Sequence, residues 1–176
     1  MKLSNTPTLY ILIGYPGSGK TTTAQTLQRL TGAVHIWTDM ERKTRFDSVT
    51  HSREESKLLY GALNKEVSEL LKAGKSVIFD TNFNHRSDRD HMRAIAAEAS
   101  AELMLLWVHT DTELARERAT KKSANNPTRV FGNMEEDIFN SIVSRLEPPT
   151  ADEPYIEVNG TKVSDEYLRD LLAASN

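Results

Sequence analysis

Apolar residues recur along this chain in two alternating rhythms. Short runs at residues 8–13, 34–37, 76–79, 103–108 and 155–158 are rich in Leu, Ile and Val, as expected of strands buried on both faces. Between them apolar positions return every three or four residues, the period of a helix with one buried stripe. The longest stripe covers residues 53–73, where Leu58, Leu59, Ala62, Leu63, Val67, Leu70 and Leu71 share a face and Gly74 closes the helix. An earlier helix spans about 20–30 and is broken by Gly32. Met92, Ile95, Ala96 and Ala99 mark the buried side of another helix, and Ile138, Ile142, Val143 and Leu146 that of a later one, stopped by Pro148 and Pro149. Thr110 and Glu113 have capping-box spacing for a helix over about 110–121, and Asn133 with Glu136 would cap the helix that carries Ile138. Strand and helix alternate, which predicts an α/β fold of three layers: a five-stranded parallel sheet with helices on both faces. Asn159-Gly160 leaves two local solutions, a hairpin pairing 155–158 with 161–163, or strand, loop and final helix.

Composition narrows the class without changing that picture. A length of 176 residues suits one domain spanning 1–176, and 38% hydrophobic with 27% charged residues is the profile of a soluble globular protein. The net charge of −3 and pI near 6.0 give no general attraction to polyanions, so nucleic-acid binding would need a local basic patch. Cysteine is absent, which excludes disulfides, Cys-ligated zinc and thiol catalysis. The longest N-terminal apolar run, five residues, is too short for a signal core or membrane span, and a cytoplasmic protein is expected. The five histidines show no metal-ligand spacing and read as structural, and Trp37 and Trp107 read as core.

The chemistry starts directly after the first strand. Gly14-Tyr15-Pro16-Gly17-Ser18-Gly19-Lys20-Thr21 fits G-x-x-x-x-G-K-[ST], and Thr22 extends it into the helix. Glycines let backbone N–H groups turn inward around phosphate oxygens, and the helix that follows aims its positive end at the same charge. Lys20 would reach the β- and γ-phosphates and the Thr21 hydroxyl would bind Mg²⁺, so ATP and Mg²⁺ are the expected ligands.

In an open parallel sheet, residues just past the strand ends converge on the ligand. Asp39, after the second strand, is placed as general base toward an attacking hydroxyl, with a helix N-cap as the ordinary reading. Arg42, one turn further, would either clamp an acidic group of the acceptor or pair with a carboxylate. Asp80 ends the third strand, where it would hold Mg²⁺ directly or through water, or else cap the turn at 82–86. Thr81 and Asn82 would contact the acceptor or hold the loop, and Asp111 is a rival metal carboxylate better suited to capping. Arg116, Arg118, Lys121, Lys122 and Arg129 flank a polar, breaker-rich stretch at 123–132, which makes about 123–133 a lid able to bring cations onto a transferring phosphoryl group.

Taken together, the loop at 14–21, Thr38-Asp39-x-x-Arg42, Val77-Ile78-Phe79-Asp80-Thr81-Asn82, and the basic helix with its lid resemble P-loop kinases of the polynucleotide 5′-hydroxyl kinase type, to which zeta-toxin-like and antibiotic phosphotransferase-like kinases are related. The resemblance covers about residues 8–160 and implies a P-loop NTPase fold like that of nucleoside monophosphate kinases, with a short lid. It implies Asp39 as base, Arg42 as an acceptor contact, Asp80 as a metal or acceptor contact, and Arg118 with Lys122 or Arg129 as lid cations. At the end of the basic helix a lysine stands where the resemblance expects an arginine. The expected activity is Mg²⁺-assisted transfer from ATP to a hydroxyl-bearing acceptor, a nucleic-acid 5′-end or a small molecule. A nucleotide-driven switch and a plain nucleotide hydrolase are the other two classes that such a loop serves.

Overall fold

The computed structural model describes residues 6–121 and 128–175. The central strand β1 (Thr8–Ile13) is buried along nearly its whole length. Side chains alternate along a strand, so Leu9, Ile11 and Ile13 enter one core and Tyr10 and Leu12 the other. On the first face lie α3 (Arg53–Lys72) and α4 (Arg86–Glu98); on the second lie α1 (Lys20–Thr31) and α7 (Asp165–Ala174). The remaining strands are β2 (Val34–Trp37), β3 (Val77–Asp80), β4 (Glu102–His109) and β5 (Ile156–Asn159). The sheet order is β2-β3-β1-β4-β5 with every pair parallel, Leu9 standing between Val77 on one side and Leu103 on the other. After β3 the chain crosses to the opposite side of β1, so the order reverses there and a crevice opens beyond the carboxyl ends.

Three further helices complete the chain: α2 (Thr38–Arg45), α5 (Thr112–Thr120) and α6 (Glu136–Ser144). The α3 stripe is Leu59, Leu63, Val67 and Leu71, spaced four apart, each burial contributing about 2 kcal/mol. Leu58 instead points outward, 69% exposed, and Ala62 is exposed too, because a helix of this length buries only one narrow side against the sheet. Ser52 caps α3 by accepting from Glu55 N at 3.2 Å. The expected caps of the next helices differ. Asp111 caps α5, accepting from Glu113 N and Leu114 N, while the Thr110 hydroxyl donates to Ser18 O at 2.8 Å. Helix α6 starts after Glu135 with no side-chain cap, so Asn133 does not fill that role. At Asn159-Gly160 no hairpin forms: Asn159 Oδ1 accepts from Thr161 N and Oγ1, and the turn leads into α7. Of the expected lid, 128–133 carries no helix or strand, and 123–127 lies outside the described residues. No helix among the described residues is long and apolar enough to cross a membrane.

Candidate active site

Between β1 and α1 the chain turns through Gly14 to Gly19. Ser18 N donates to Tyr15 O at 3.1 Å, closing the turn. Gly17 has φ +80°, and a Cβ there would lie 2.2 Å from Ala115 O, so only glycine lets α5 rest on the loop. Gly19 caps α1 with no side-chain acceptor, leaving the first N–H groups of α1 without a side-chain partner. Ser18 is buried, and its Oγ is an orphaned polar atom inside the turn. Pro16 is buried, Thr21 half-buried and Thr22 exposed. An uncapped helix start and an orphaned buried hydroxyl fit a triphosphate.

Lys20 arches back over this turn, its Nζ donating to Gly14 O at 2.9 Å and Tyr15 O at 2.8 Å. Burial lowers its pKa to about 8 against the opposing pull of the Asp80 and Asp39 charges. The three groups that the sequence separates thus act on one another through space. Asp39 lies in the first turn of α2 and caps nothing; the cap is Trp37, with no side-chain bond. Among the described residues no hydrogen-bond donor holds its carboxylate, and although the residue as a whole is exposed, its carboxyl group is partly shielded from water. Loss of surrounding water raises the Asp39 pKa first and the Asp80 charge second, with Arg42, His51 and Lys20 opposing.

Asp80 is buried at the end of β3, and His35 Nε2 lies 3.2 Å from its Oδ2. It caps no turn, since His85 stands at the start of α4. Among the described residues no group of three or more His, Asp or Glu could hold a metal alone, so a Mg²⁺ here would be shared with phosphate oxygens and water.

Arg42 is buried and its guanidinium is engaged by Glu55 and, at 3.3 Å, by Ser56 Oγ. Asn82 is exposed, and the Thr81 hydroxyl pairs with Tyr60 OH at 2.8 Å. Arg118 is half-buried on α5 with no partner among the described residues, whereas Arg116 donates to Asn140 Oδ1 and stacks over Phe139, and Lys121 pairs with Glu117. Arg129 Nη1 donates to Gly132 O at 3.0 Å, and burial lowers its pKa. Lys122 lies outside the described residues.

Several groups at this site escape a reading of the sequence. Asn84 Oδ1 accepts from Gly14 N at 3.3 Å, and its buried Nδ2 has no partner. Thr110 holds Ser18 O, Gly160 abuts the same carbonyl, and His35 sits beside Asp80. Each is distant in sequence from what it touches, so no local spacing signals it. His35 shares a face of β2 with Trp37, and that strand spacing is the one available hint.

Known proteins share this architecture. A gluconokinase from Gluconobacter oxydans (strain 621H) is 27% identical over 174 residues, covering 94% of this chain and 90% of the relative. The solved gluconokinase of Sinorhizobium meliloti 1021 superposes with TM-score 0.68 at 18% identity, covering 96% of this chain and 91% of that one. Kti12 of Chaetomium thermophilum, solved with ADP-AlF3, gives TM-score 0.72 at 22% identity over 95% of this chain and 96% of that one. These likenesses establish a P-loop kinase fold. The AAA domain family matches residues 9–149, a span that includes the phosphate turn, Asp39 and Asp80, and the chain belongs to that family.

Proposed function

We propose that this protein transfers the γ-phosphoryl group of ATP, with Mg²⁺, to a hydroxyl of a small molecule. The observation that carries the reading is Asp39: a carboxylate with no hydrogen-bond donor among the described residues, at the end of β2, within the electrostatic reach of Lys20 and Asp80. A raised carboxyl pKa suits a general base, because proton transfer is most effective from a group nearer neutrality.

Each residue then has a task. The turn at 14–19 and the start of α1 cradle the phosphates, and Lys20 bridges to the γ-phosphate. Asp39 orients the acceptor hydroxyl and takes its proton as the oxygen attacks phosphorus and the bond to the β-phosphate oxygen breaks. Thr21 and Asp80 would hold Mg²⁺, which supplies charge neutralisation across the phosphates. His35 fixes the Asp80 carboxylate. Arg118, on the helix that rests on Gly17 and without a partner among the described residues, would meet charge growing on the transferred group, with Arg129 and Lys122 as the other candidate cations.

A small acceptor is favoured over a nucleic-acid 5′-end by the gluconokinase relative and by the net charge of −3. The test is γ-labelled ATP and Mg²⁺ with a panel of polyols, sugar acids and 5′-hydroxyl oligonucleotides, run with wild type and Asp39→Asn. Label is expected on a small hydroxyl compound, with transfer falling about 10²- to 10⁴-fold in the variant and ATP affinity retained. Full activity in Asp39→Asn would remove the base from the scheme.

A further inference from the structure

The connection between α2 and α3 is organised around one carboxylate. Glu55, in the first turn of α3, accepts from Arg42 Nη1, from Thr50 N at 2.6 Å, from Thr50 Oγ1 at 2.8 Å and from His51 N at 3.3 Å. Four donors occupy its oxygens, which are buried. The Thr50 N–H, then Arg42 and the Thr50 hydroxyl hold its pKa down at about 2 against the effect of burial. Arg42, the residue expected to grip an acidic group on the acceptor, therefore has its fork turned toward Glu55 and Ser56 and is only 5% exposed.

The visible product of this clamp is His51. Its φ of +54° is uncommon for a residue with a side chain, and such a conformation persists where the surroundings over-determine it. The imidazole is exposed and meets the edge of Phe131, ring centroids 4.9 Å apart at 83°. Phe131 belongs to the segment that follows α5, and its ring is 40% exposed. The contact therefore joins the α2–α3 connection to the expected lid. The charge of His51 also reaches the Asp39 carboxylate.

Resting on the phosphoryl-transfer reading, we propose that His51, held by the Arg42–Glu55 clamp and walled by Phe131, reads the acceptor, and that the acceptor is a polyhydroxy compound with no phosphate beside its reacting hydroxyl. An imidazole can donate to or accept from a hydroxyl, and an aromatic ring covers the C–H side of a polyol. A phosphate on the acceptor beside Asp39 would call for a free arginine fork on α2, and neither Arg42 nor Arg45, which pairs with Glu41 and Glu66, presents one.

His51→Gly is the informative variant, because glycine adopts positive φ without strain and so removes the ring while sparing the backbone. Steady-state transfer is measured with gluconate, a free hexose and a nucleoside 3′-monophosphate as acceptors, beside a thermal melt. For whichever polyol wild type phosphorylates, His51→Gly should raise acceptor KM about tenfold or more, leave the KM for ATP within about twofold, and melt no lower than wild type. His51→Asn, which tolerates the same backbone and retains hydrogen-bonding groups, should recover part of the loss. An unchanged acceptor KM in His51→Gly, or a wild-type preference for the nucleoside 3′-monophosphate, overturns the proposal while the transfer reading stands. Absence of label on every acceptor with wild type overturns the transfer reading, and the proposal falls with it.

Discussion

Lys20 works against its surroundings, and that conflict is measurable. Burial lowers its pKa to about 8 from an ordinary 10.5 even with Asp80 and Asp39 opposing. Between those values the unfolded chain binds more protons than the folded one, so the lysine's contribution to stability rises with pH across that window; below about pH 8 the folded protein carries the full penalty of a desolvated ammonium. A bound triphosphate supplies the missing counter-charge, so the tension in the free protein favours binding. Titrating ATP calorimetrically at constant ionic strength should show affinity steady up to about pH 8 and about tenfold weaker by pH 9, where roughly a tenth of the lysine keeps its proton. The terminal phosphate is fully ionised throughout that range, so it adds no slope of its own. Lys20→Ala should bind weakly with no such slope; a wild-type profile flat from pH 7 to 9.5 would place the ammonium away from the phosphates.

Strand positions were legible to within a residue, since β1 and most of β3 and β4 lie inside the sheet as apolar runs, while the edge strands β2 and β5 still keep apolar residues at alternate positions. Helix phase and caps were less so. Thr110 and Asn133 have the right local spacing to cap, but Thr110 is drawn to Ser18 O by the loop packed beside it. Arg89 gave no signal at all. It lies on the buried side of α4 with Met92, Ile95 and Ala96, fully buried, donating to Glu153 through Nε at 2.9 Å and Nη2 at 2.7 Å and to Phe83 O at 3.1 Å. Arg93 shares the same carboxylate. This pairing fastens the segment before β5 to α4 across more than sixty residues, a relation that no window of sequence contains. Removing Arg89 takes two charge-assisted donors from the buried Glu153 carboxylate and leaves it Arg93 and Arg86 alone, so Arg89→Ala should lower stability by about 1–3 kcal/mol in urea unfolding at neutral pH. The loss should shrink in acid. Arg89, then Arg93, holds the Glu153 pKa at about 2, below the ordinary 4.5, so the contribution of the pair is present above pH 4.5 and fades as pH falls toward 2. An equal penalty at pH 7 and pH 3 would mean that Arg89 acts by packing alone.

Lys20, Asp39 and Asp80, the proposed catalytic set, stand out in the sequence because each lies at or shortly past the carboxyl end of a strand, and the fold then brings strand ends together. What braces them comes from the whole molecule. The phosphate turn is backed by Asn84 from the approach to α4, by Thr110 from the end of β4 and by Gly160 from the end of β5. Gly160 N donates to His109 O at 2.7 Å, so its place is fixed by the sheet, and a Cβ there would fall 1.8 Å from Ser18 O and 2.5 Å from Thr110 Oγ1. Gly160→Ala cannot be absorbed without displacing the turn, although the substitution lies far from it in sequence. Val158 and Leu168 keep β5 and α7 anchored in their own core, so the protein should still fold. Phosphoryl transfer depends on alignment, and a shift near 1 Å costs about 10²-fold in rate, so Gly160→Ala should reduce transfer by roughly that factor with an intact circular dichroism spectrum. Gly61→Ala is the matched control. It lies inside α3 with nothing within 4 Å of the added methyl, and should raise stability by up to about 1 kcal/mol while leaving transfer unchanged. Equal activity in the two variants would show that the turn holds its shape without support from β5; a loss confined to Gly160→Ala would show that the sheet itself sets the geometry of the phosphate cradle.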